Sequence, residues 1–385
     1  MRLKEGTISA NTGLDAIKRA PIVDYDTGLK CIRIQDISQN KQIDEWGFTE
    51  TNERDRNKFL LKKDDLLIAR TGATVGVSQF IDRDLDAVYN NGTIRLRFDK
   101  SLNPKFIYYV FQTNSFLQYI DNISCVATQP NLRIEGLLRF TIPDYSIEAQ
   151  NRIVKSLTVF DKLIINNNER IKLLEQMAKN LYKEWFVRFR FPGYEDVEFD
   201  GTLPIGWRYQ PISESMDFFD SQRAPLSSIQ RDGMEKIYPY YGAAKLMDYV
   251  DDYLFDGEYL LLGEDGTVVT TDGFPVLQLI NDKFWANNHA HVIRGRGNIS
   301  TRYLYLTFCE FPITGVVTGS AQPKISKGRL EKLKILVPDA ITMEHFNNLI
   351  NPMFDEIDVL KKLVIRITKQ RDMLLPRLMS GKLEV

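Results

Sequence analysis

The feature that most limits what this chain can fold into is an internal duplication. Leu67-Ile68-Ala69-Arg70-Thr71-Gly72 is matched by Leu261-Leu262-Gly263-Glu264-Asp265-Gly266 at an offset of 194 (266 − 72). Asn90-Asn91 is matched by Asn287-Asn288, and Asn103–Phe111 by Ser300–Phe308, both at 197. Gln129-Pro130-Asn131-Leu132 pairs with Gln322-Pro323-Lys324-Ile325 at 193, and Ile142-Pro143-Asp144 with Val337-Pro338-Asp339 at 195. Five matches in one order, with offsets drifting only as loop insertions would make them, predict two similar units in tandem.

Each half reads as a mixed α/β unit followed by a long helix. Short apolar runs bounded by turn residues predict strands at Lys30–Ile34, Leu66–Ala69, Val75–Ile81 and Thr93–Phe98. Their counterparts are Tyr259–Leu262, Val276–Ile280 and His291–Arg294. Asn103 before Pro104 is a helix start, a capping side chain followed by proline in the first turn, and Ser300 takes the same part in the second half. The aromatics behind each cap (Phe106, Tyr108, Phe111; Tyr303, Tyr305, Phe308) are assigned to core packing.

From Ile153 the positions 153, 157, 160, 164, 167, 171, 174, 178, 181 and 185 alternate steps of four and three, a heptad seam. Adding 193 gives a second seam, 346, 350, 353, 357, 360, 364, 367, 371, 374 and 378. Each has one polar interruption, Asn167 and Arg371, readable as a register-fixing buried group or as an exposed point of the seam. Pro352 predicts a break, with a short helix from about Thr342 and the main one from Asn351, and Pro376 predicts an end or a kink. Connectivity makes the two helices antiparallel if their seams meet, and returns the tail Ser380–Val385 to the first unit. The expected class is therefore α+β: two similar mixed α/β domains separated by two long helices that form an antiparallel coiled coil, with a pseudo-twofold internal repeat. The boundaries fall at 1–145, 146–191, 192–341 and 342–385. The helices also carry apolar residues off the seam: Val154, Leu163, Leu173, Met177, Tyr182 and Phe186. These fit either a second partner surface or contact with the chain's own globular units.

Composition excludes several classes. Three widely spaced cysteines, Cys31, Cys125 and Cys309, form neither a disulfide framework nor a zinc site, and suit a reducing cytoplasm. No stretch approaches the ~20 apolar residues of a membrane span, and the N-terminus lacks the apolar core of a secretory signal. The net charge of −1 is not the footprint of a simple DNA coater. The C-terminal helix is the basic tract, with Lys361, Lys362, Arg366, Lys369, Arg371, Arg377 and Lys382 against Asp372, either a phosphate-tracking face or a solvated one. There is no phosphate-binding G-x-x-x-x-G-K-[ST] loop and no Asp/Asn-Pro-Pro-aromatic methyltransferase motif. Thr71–Gly76 lacks the spacing of a dinucleotide fingerprint, and Pro143-Asp144 and Pro338-Asp339 lack the acidic-x-Lys partner of a nuclease. The three histidines, His289, His291 and His345, are too few and badly placed for a typical zinc site.

Two unequal heads on a helical rod suit a reader of two different DNA half-sites. The 32 residue steps from Ile153 to Trp185 reach about 48 Å at ~1.5 Å each, against ~34–36 Å between successive major-groove faces. The chain resembles the specificity subunit of type I restriction-modification enzymes. The resemblance is carried by the duplicated layout, by Leu203-Pro204-Ile205-Gly206-Trp207 opening the second half, by Ile142-Pro143-Asp144 before the first long helix, and by Leu374-Leu375-Pro376-Arg377-Leu378-Met379-Ser380-Gly381-Lys382-Leu383. The first half lacks a clear Leu-Pro-x-Gly-Trp counterpart. The resemblance implies a non-catalytic, cytoplasmic subunit of a phage-defence system, binding double-stranded DNA through two target recognition domains. It also implies two adenine methyltransferase subunits along the helices, with restriction/translocase subunits joining them. S-adenosylmethionine and ATP are expected on those partners, and no cofactor or metal on this chain.

Base edges are read by Arg, Lys, Asn, Gln and acidic side chains. The candidates are polar groups on the recurrent loops: Arg70, Thr71, Asn90, Asn91, Gln129, Asn131 and Arg133 in the first half, and Glu264, Asp265, Asn287, Asn288, His289, Gln322 and Lys324 in the second. The shared Asn pairs and Gln-Pro turns read as scaffold. The differing positions, Arg70/Thr71 against Glu264/Asp265 and Asn131 against Lys324, are the better readers. Partner contacts are expected at Leu163, Leu173, Met177, Tyr182, Phe186, Lys362, Arg366 and Lys369. The rival readings are a two-headed scaffold without nucleic acid and a self-sufficient methyltransferase or nuclease.

Overall fold

The computed structural model describes residues 1–39, 41–124, 130–319 and 322–383. Gln129 and Cys125 lie outside them. The chain divides into two compact units. The first is Met1–Ile165 with Ile365–Val385, and the second is Asn166–Val364.

In the first unit Leu66–Ala69 is buried along its whole length and lies between Thr93–Phe98 and Ser78–Phe80, with Thr7–Thr12 completing the sheet beyond Thr93–Phe98. A second four-stranded sheet carries Ile22–Val23, Gly47–Thr49, Lys30–Ile32 and Ala87–Tyr89. Asn103 caps the helix Pro104–Val110 as the Asn-Pro pair predicts: its Oδ1 accepts from the Lys105 N–H (2.9 Å) and the Phe106 N–H (3.2 Å). Phe106 and Phe111 are buried in the main core of this unit with Leu3, Leu66 and Ile94. Leu375, Leu378 and Met379 enter the same core, and the Tyr145 hydroxyl donates to the Leu378 carbonyl (3.2 Å). The end of the chain thus closes on its beginning.

The second unit repeats the scheme on a larger scale. Its six-stranded sheet runs Met216–Phe218, Ala290–Gly295, Phe255–Gly263, Leu277–Ala286, Tyr238–Tyr241, Leu246–Val250. Ser300 Oγ accepts from the Tyr303 N–H (3.1 Å) and starts the helix Thr301–Cys309, whose Tyr303 and Phe308 are fully buried. The Leu203–Trp207 and Val337–Asp339 motifs meet. Trp207 Nε1 donates to Asp339 Oδ2 (3.1 Å), while Asp339 Oδ1 accepts from the Ile341 and Thr342 N–H groups (both 3.0 Å). Both motifs are therefore structural: the carboxylate caps the C-terminal helix and fixes the indole that packs on Phe186 and Phe191.

The two long helices are Ile147–Tyr182, extended by a wider π turn over Lys183–Val187, and Ala340–Met379. Every seam position in both is buried or half-buried, whereas off-seam residues such as Leu163, Leu173, Val359 and Met373 are exposed. Ion pairs inside each unit run antiparallel. Asp161 meets Arg371 (3.1 Å) in the first, and Arg170 meets Glu356 and Glu175 meets Lys361 (3.5 Å) in the second. Of the two polar interruptions Asn167 is buried, and Arg371 is half-buried against Asp161 and Asp372.

The break expected at Pro352 does not occur. The C-terminal helix begins at Ala340, passes through Pro352 unbroken and continues past Pro376 to Met379. Pro352 is exposed, while Ile350, Phe354 and Ile357 around it are buried in the core. The hydrogen bond it removes faces water, and side-chain packing on the other face holds the helix. Tyr182 and Phe186 also belong inside, each about 5% exposed or less, packed in tilted and edge-to-face contacts on Tyr303 and Phe346. They pack on their own unit and do not present an outer surface. Among the described residues no helix is long and apolar enough to cross a membrane, and Cys31 and Cys309 are free thiols.

Candidate nucleic-acid interface

The recurrent loops converge on one edge in each unit through the same backbone bonds. In the first unit the Arg70 N–H donates to the Gly92 carbonyl (2.9 Å), the Leu132 N–H to the Arg70 carbonyl (2.7 Å) and the Gly72 N–H to the Pro130 carbonyl (3.2 Å). In the second the Glu264 N–H donates to His289 (2.8 Å), Ile325 to Glu264 (2.8 Å) and Gly266 to Pro323 (3.0 Å). Thr71 bridges Asn131, and Asp265 bridges Lys324. Gly72 and Gly266 both have φ near +82°, the left-handed turn that frees the chain to double back. Buried Leu132 and Ile325 anchor the returning segment. The duplication seen in the sequence is thus a duplicated polar edge.

The shared asparagines build that edge. Asn90 Oδ1 accepts from the Gly92 N–H (3.2 Å), and Asn287 Oδ1 accepts from the His289 N–H (2.9 Å), one Asx turn in each unit. Asn287 is buried, whereas Asn91, Asn288 and His289 beside these turns are exposed. Arg133 is also exposed, at the start of the short helix Ile134–Leu138, and Gln322 is exposed just before Pro323.

The positions that differ meet across each edge. Arg70 Nη2 donates to Asn131 Oδ1 (3.1 Å), so the first edge presents a guanidinium and an amide side by side. On the second edge Lys324 Nζ lies 3.4 Å from Glu264 Oε1, and His289 Nδ1 contacts the Asp265 carboxylate. Glu264 is heavily engaged: Arg223 Nη1 reaches its Oε2 at 2.7 Å, and His291 Nδ1 lies 3.7 Å from the same oxygen. Arg223 also donates to the Ala290 carbonyl (2.6 Å).

The sequence reading missed this network of Asp220, Arg223, Glu264 and His291. Its signal was an acid, Glu264, at the place where the first half has Arg70, which demands a cation from elsewhere in the fold. The histidines were expected to be too few and badly placed for a typical zinc site; the fold nevertheless brings ligand atoms of Asp220, Glu264 and His291 within 4.8 Å of one another. The residues do not fit a metal, because Arg223 already supplies the cation: its Nη1 pairs Glu264 (2.7 Å) and its Nη2 lies 3.7 Å from Asp220. Burial pushes the Asp220 carboxyl up, but His291, the Val292 N–H and Arg223 together hold it below its ordinary value. The network is a structural brace under the second edge.

On the long helices Leu163, Leu173 and Met177 remain exposed, as do Arg366 and Lys369. Lys362 is exposed but reaches Asp282 (3.2 Å).

A duplicated α+β module, each copy presenting a loop edge of donors and acceptors beside a seamed helix, is the architecture of a two-headed recognition protein. The type I restriction modification DNA specificity domain matches the chain twice, over residues 23–176 and 204–351, and the chain belongs to that family. It is therefore a specificity subunit and not the catalytic one. The chain is 27% identical over 301 residues to the type I restriction enzyme MjaIX specificity subunit of Methanocaldococcus jannaschii, covering 73% of this chain and 69% of that one. It is 23% identical to the putative MjaX specificity subunit of the same organism, covering 93% and 88%. Its fold matches the crystal structure of a type I restriction-modification system S subunit from M. genitalium, with a TM-score of 0.59, 16% identity, and 98% of this chain and 95% of that one covered.

Proposed function

We propose that the chain reads a split, asymmetric DNA target, one half-site per recognition domain, for a type I restriction-modification complex. The observation that carries this is the conserved backbone frame with unlike side chains. The same bonds hold Arg70 with Asn131 in one copy and Glu264 with Lys324 in the other. A shared frame with different donors and acceptors is what two different sequences require, since base edges are distinguished by donor–acceptor pattern. In this reading residues 1–145 and 192–341 are the recognition domains, and 146–191 and 342–385 the helical segments. Arg70, Thr71, Asn91, Asn131 and Arg133 face the first half-site; Gln129, assigned with them from the sequence, lies outside the described residues. Asp265, Asn288, His289, Gln322 and Lys324 face the second, while Asn90, Asn287 and Glu264 set the loops.

The partners are two methyltransferase subunits, which use the exposed helix residues Leu163, Leu173, Met177, Lys362, Arg366 and Lys369, and restriction/translocase subunits that join them. S-adenosylmethionine and ATP bind those partners, and the complex works in the cytoplasm where its DNA is. Methylation mapping of the host genome with and without this gene tests the reading. A single two-part motif losing its adenine methylation supports it. An unchanged pattern, together with no duplex retained by the chain co-expressed with its methyltransferase, favours the scaffold alternative.

A further inference from the structure

Beside the first edge lies a recess of about 640 Å³ lined by Lys18, Arg19, Thr51, Asn52 and Arg56 among others. It is joined to the edge by the backbone. Leu14 accepts from the Asn91 N–H (2.7 Å) and donates to the Tyr89 carbonyl (2.9 Å). Lys18 follows four residues after Leu14, its backbone N–H held by Asp15 Oδ1 at 2.8 Å. Gly13 makes the Leu14 pairing possible, because a Cβ there would meet the Tyr89 carbonyl oxygen at 2.2 Å.

The lining groups are unequally engaged. Arg19 is committed to Asp55 through two bonds of 2.9 and 2.5 Å, and Asn52 caps the helix behind it through the Asp55 N–H (2.8 Å). Lys18 is exposed, and it is its backbone N–H that Asp15 holds. Arg56 touches Asp86 only at 3.4 Å, with both side chains well exposed. The one acid in the lining, Glu50, accepts from the Tyr25 hydroxyl (2.7 Å). The Thr51 hydroxyl is sealed from solvent without a hydrogen-bond partner among the described residues, an unusual condition for a buried donor. Two loosely engaged cations around one recess form a donor set for a tetrahedral oxyanion.

We propose that this recess takes a backbone phosphate of the DNA immediately outside the first half-site, with Lys18 and Arg56 supplying the charge. The proposal rests on the DNA-reading function above. It assigns the recess to positioning and leaves base choice to the Arg70 edge, since phosphate contacts fix register without reading sequence.

The test uses the full chain assembled with its methyltransferase subunits, on a duplex carrying the mapped target and on an unrelated duplex. Lys18→Met and Arg56→Gln each lower the slope of log Kd against log salt by about 0.9 and weaken binding about tenfold, equally on both duplexes. Lys18→Arg restores the slope. Ethylation of a single phosphate flanking the first half-site interferes with the wild type and no longer interferes with the double variant. An unchanged slope, or a loss confined to the cognate duplex, overturns the proposal. So does a Lys18-dependent response to inorganic phosphate in variants that bind DNA normally, which would make this a small-anion site. Failure of the DNA-reading function is distinguishable, because the wild-type complex would then prefer no sequence at all.

Discussion

Arg302 offers the sharpest test of how the second recognition domain is joined to the C-terminal helix. Its side chain is 9% exposed and makes three charge-assisted bonds: Nε to Glu258 Oε2 (2.6 Å), Nη2 to Asp355 Oδ1 (2.7 Å) and Nη1 to the Asn351 carbonyl (2.8 Å). Arg302→Met keeps the stem volume and removes the charge. Asp355 is well exposed and rehydrates, but Glu258 does not. Burial already pushes the Glu258 carboxyl above its ordinary value, opposed chiefly by Arg302. The variant leaves a half-buried carboxylate unpaired, a loss of about 3–5 kcal/mol when one partner of a buried pair is removed. For a unit of this size that lowers Tm by about 6–20 °C. The sign of the pH dependence follows from the raised folded-state value. A carboxyl that holds its proton more tightly folded than unfolded disfavours the native state above that value, and the deficit shrinks as pH falls toward the ordinary carboxylate range near 4–5. Thermal melts of the wild type and variant from pH 7.5 to 5 should therefore converge on acidification. Arg302→Met/Glu258→Gln should recover most of the loss at pH 7.5. A single-variant loss below about 1 kcal/mol, or no recovery in the double variant, refutes the argument that desolvation of Glu258 sets the cost.

Arg70→Ala and Lys324→Ala should each relax base preference in one half of the methylated motif and leave the other half intact, read by methylation mapping; an equal loss of binding on unrelated DNA would make either residue a phosphate contact. Gly13→Ala forces a Cβ onto two carbonyls and should displace the Asn90–Asn91 loop, reducing binding at the first half-site in mobility-shift titrations with little change in the second. Pro352→Ala should stabilise the chain by about 2 kcal/mol in denaturant unfolding, since it restores a helix bond at an exposed position. Asp339→Asn keeps the cap oxygen but turns the acceptor of the Trp207 Nε1–H and Thr342 hydroxyl bonds into an amide NH2, and should cost about 1 kcal/mol at neutral pH. Burial pushes the Asp339 carboxyl up, but Thr342, Trp207 and the Ile341 N–H hold it below its ordinary value, so the difference should be present above pH 4 and vanish as pH falls.

The amino-acid order alone carried the duplication, the two heptad seams, the Asn103 and Ser300 caps and the return of the C-terminus to the first unit. Each is a local or periodic property: a cap needs its own side chain and the next turn, and a seam needs only spacing. The same order put Arg70 with Glu264 and Asn131 with Lys324 as matched but unlike positions. Proline propensity misled because it is also local, and packing of Ile350, Phe354 and Ile357 outweighs one lost bond facing water. Tyr182 and Phe186 looked like surplus apolar surface because the seam did not need them; only the packed unit shows their rings against Tyr303 and Phe346. Tertiary structure also decided which polar residues are braced and which are free. Arg223 comes from a loop 41 residues before Glu264 to neutralise it, and Leu14 pairs with the Asn91 loop only because Gly13 lets two backbones touch. Charge pairing and close approach depend on distances through space, and no spacing along a chain encodes those until the sheet has formed.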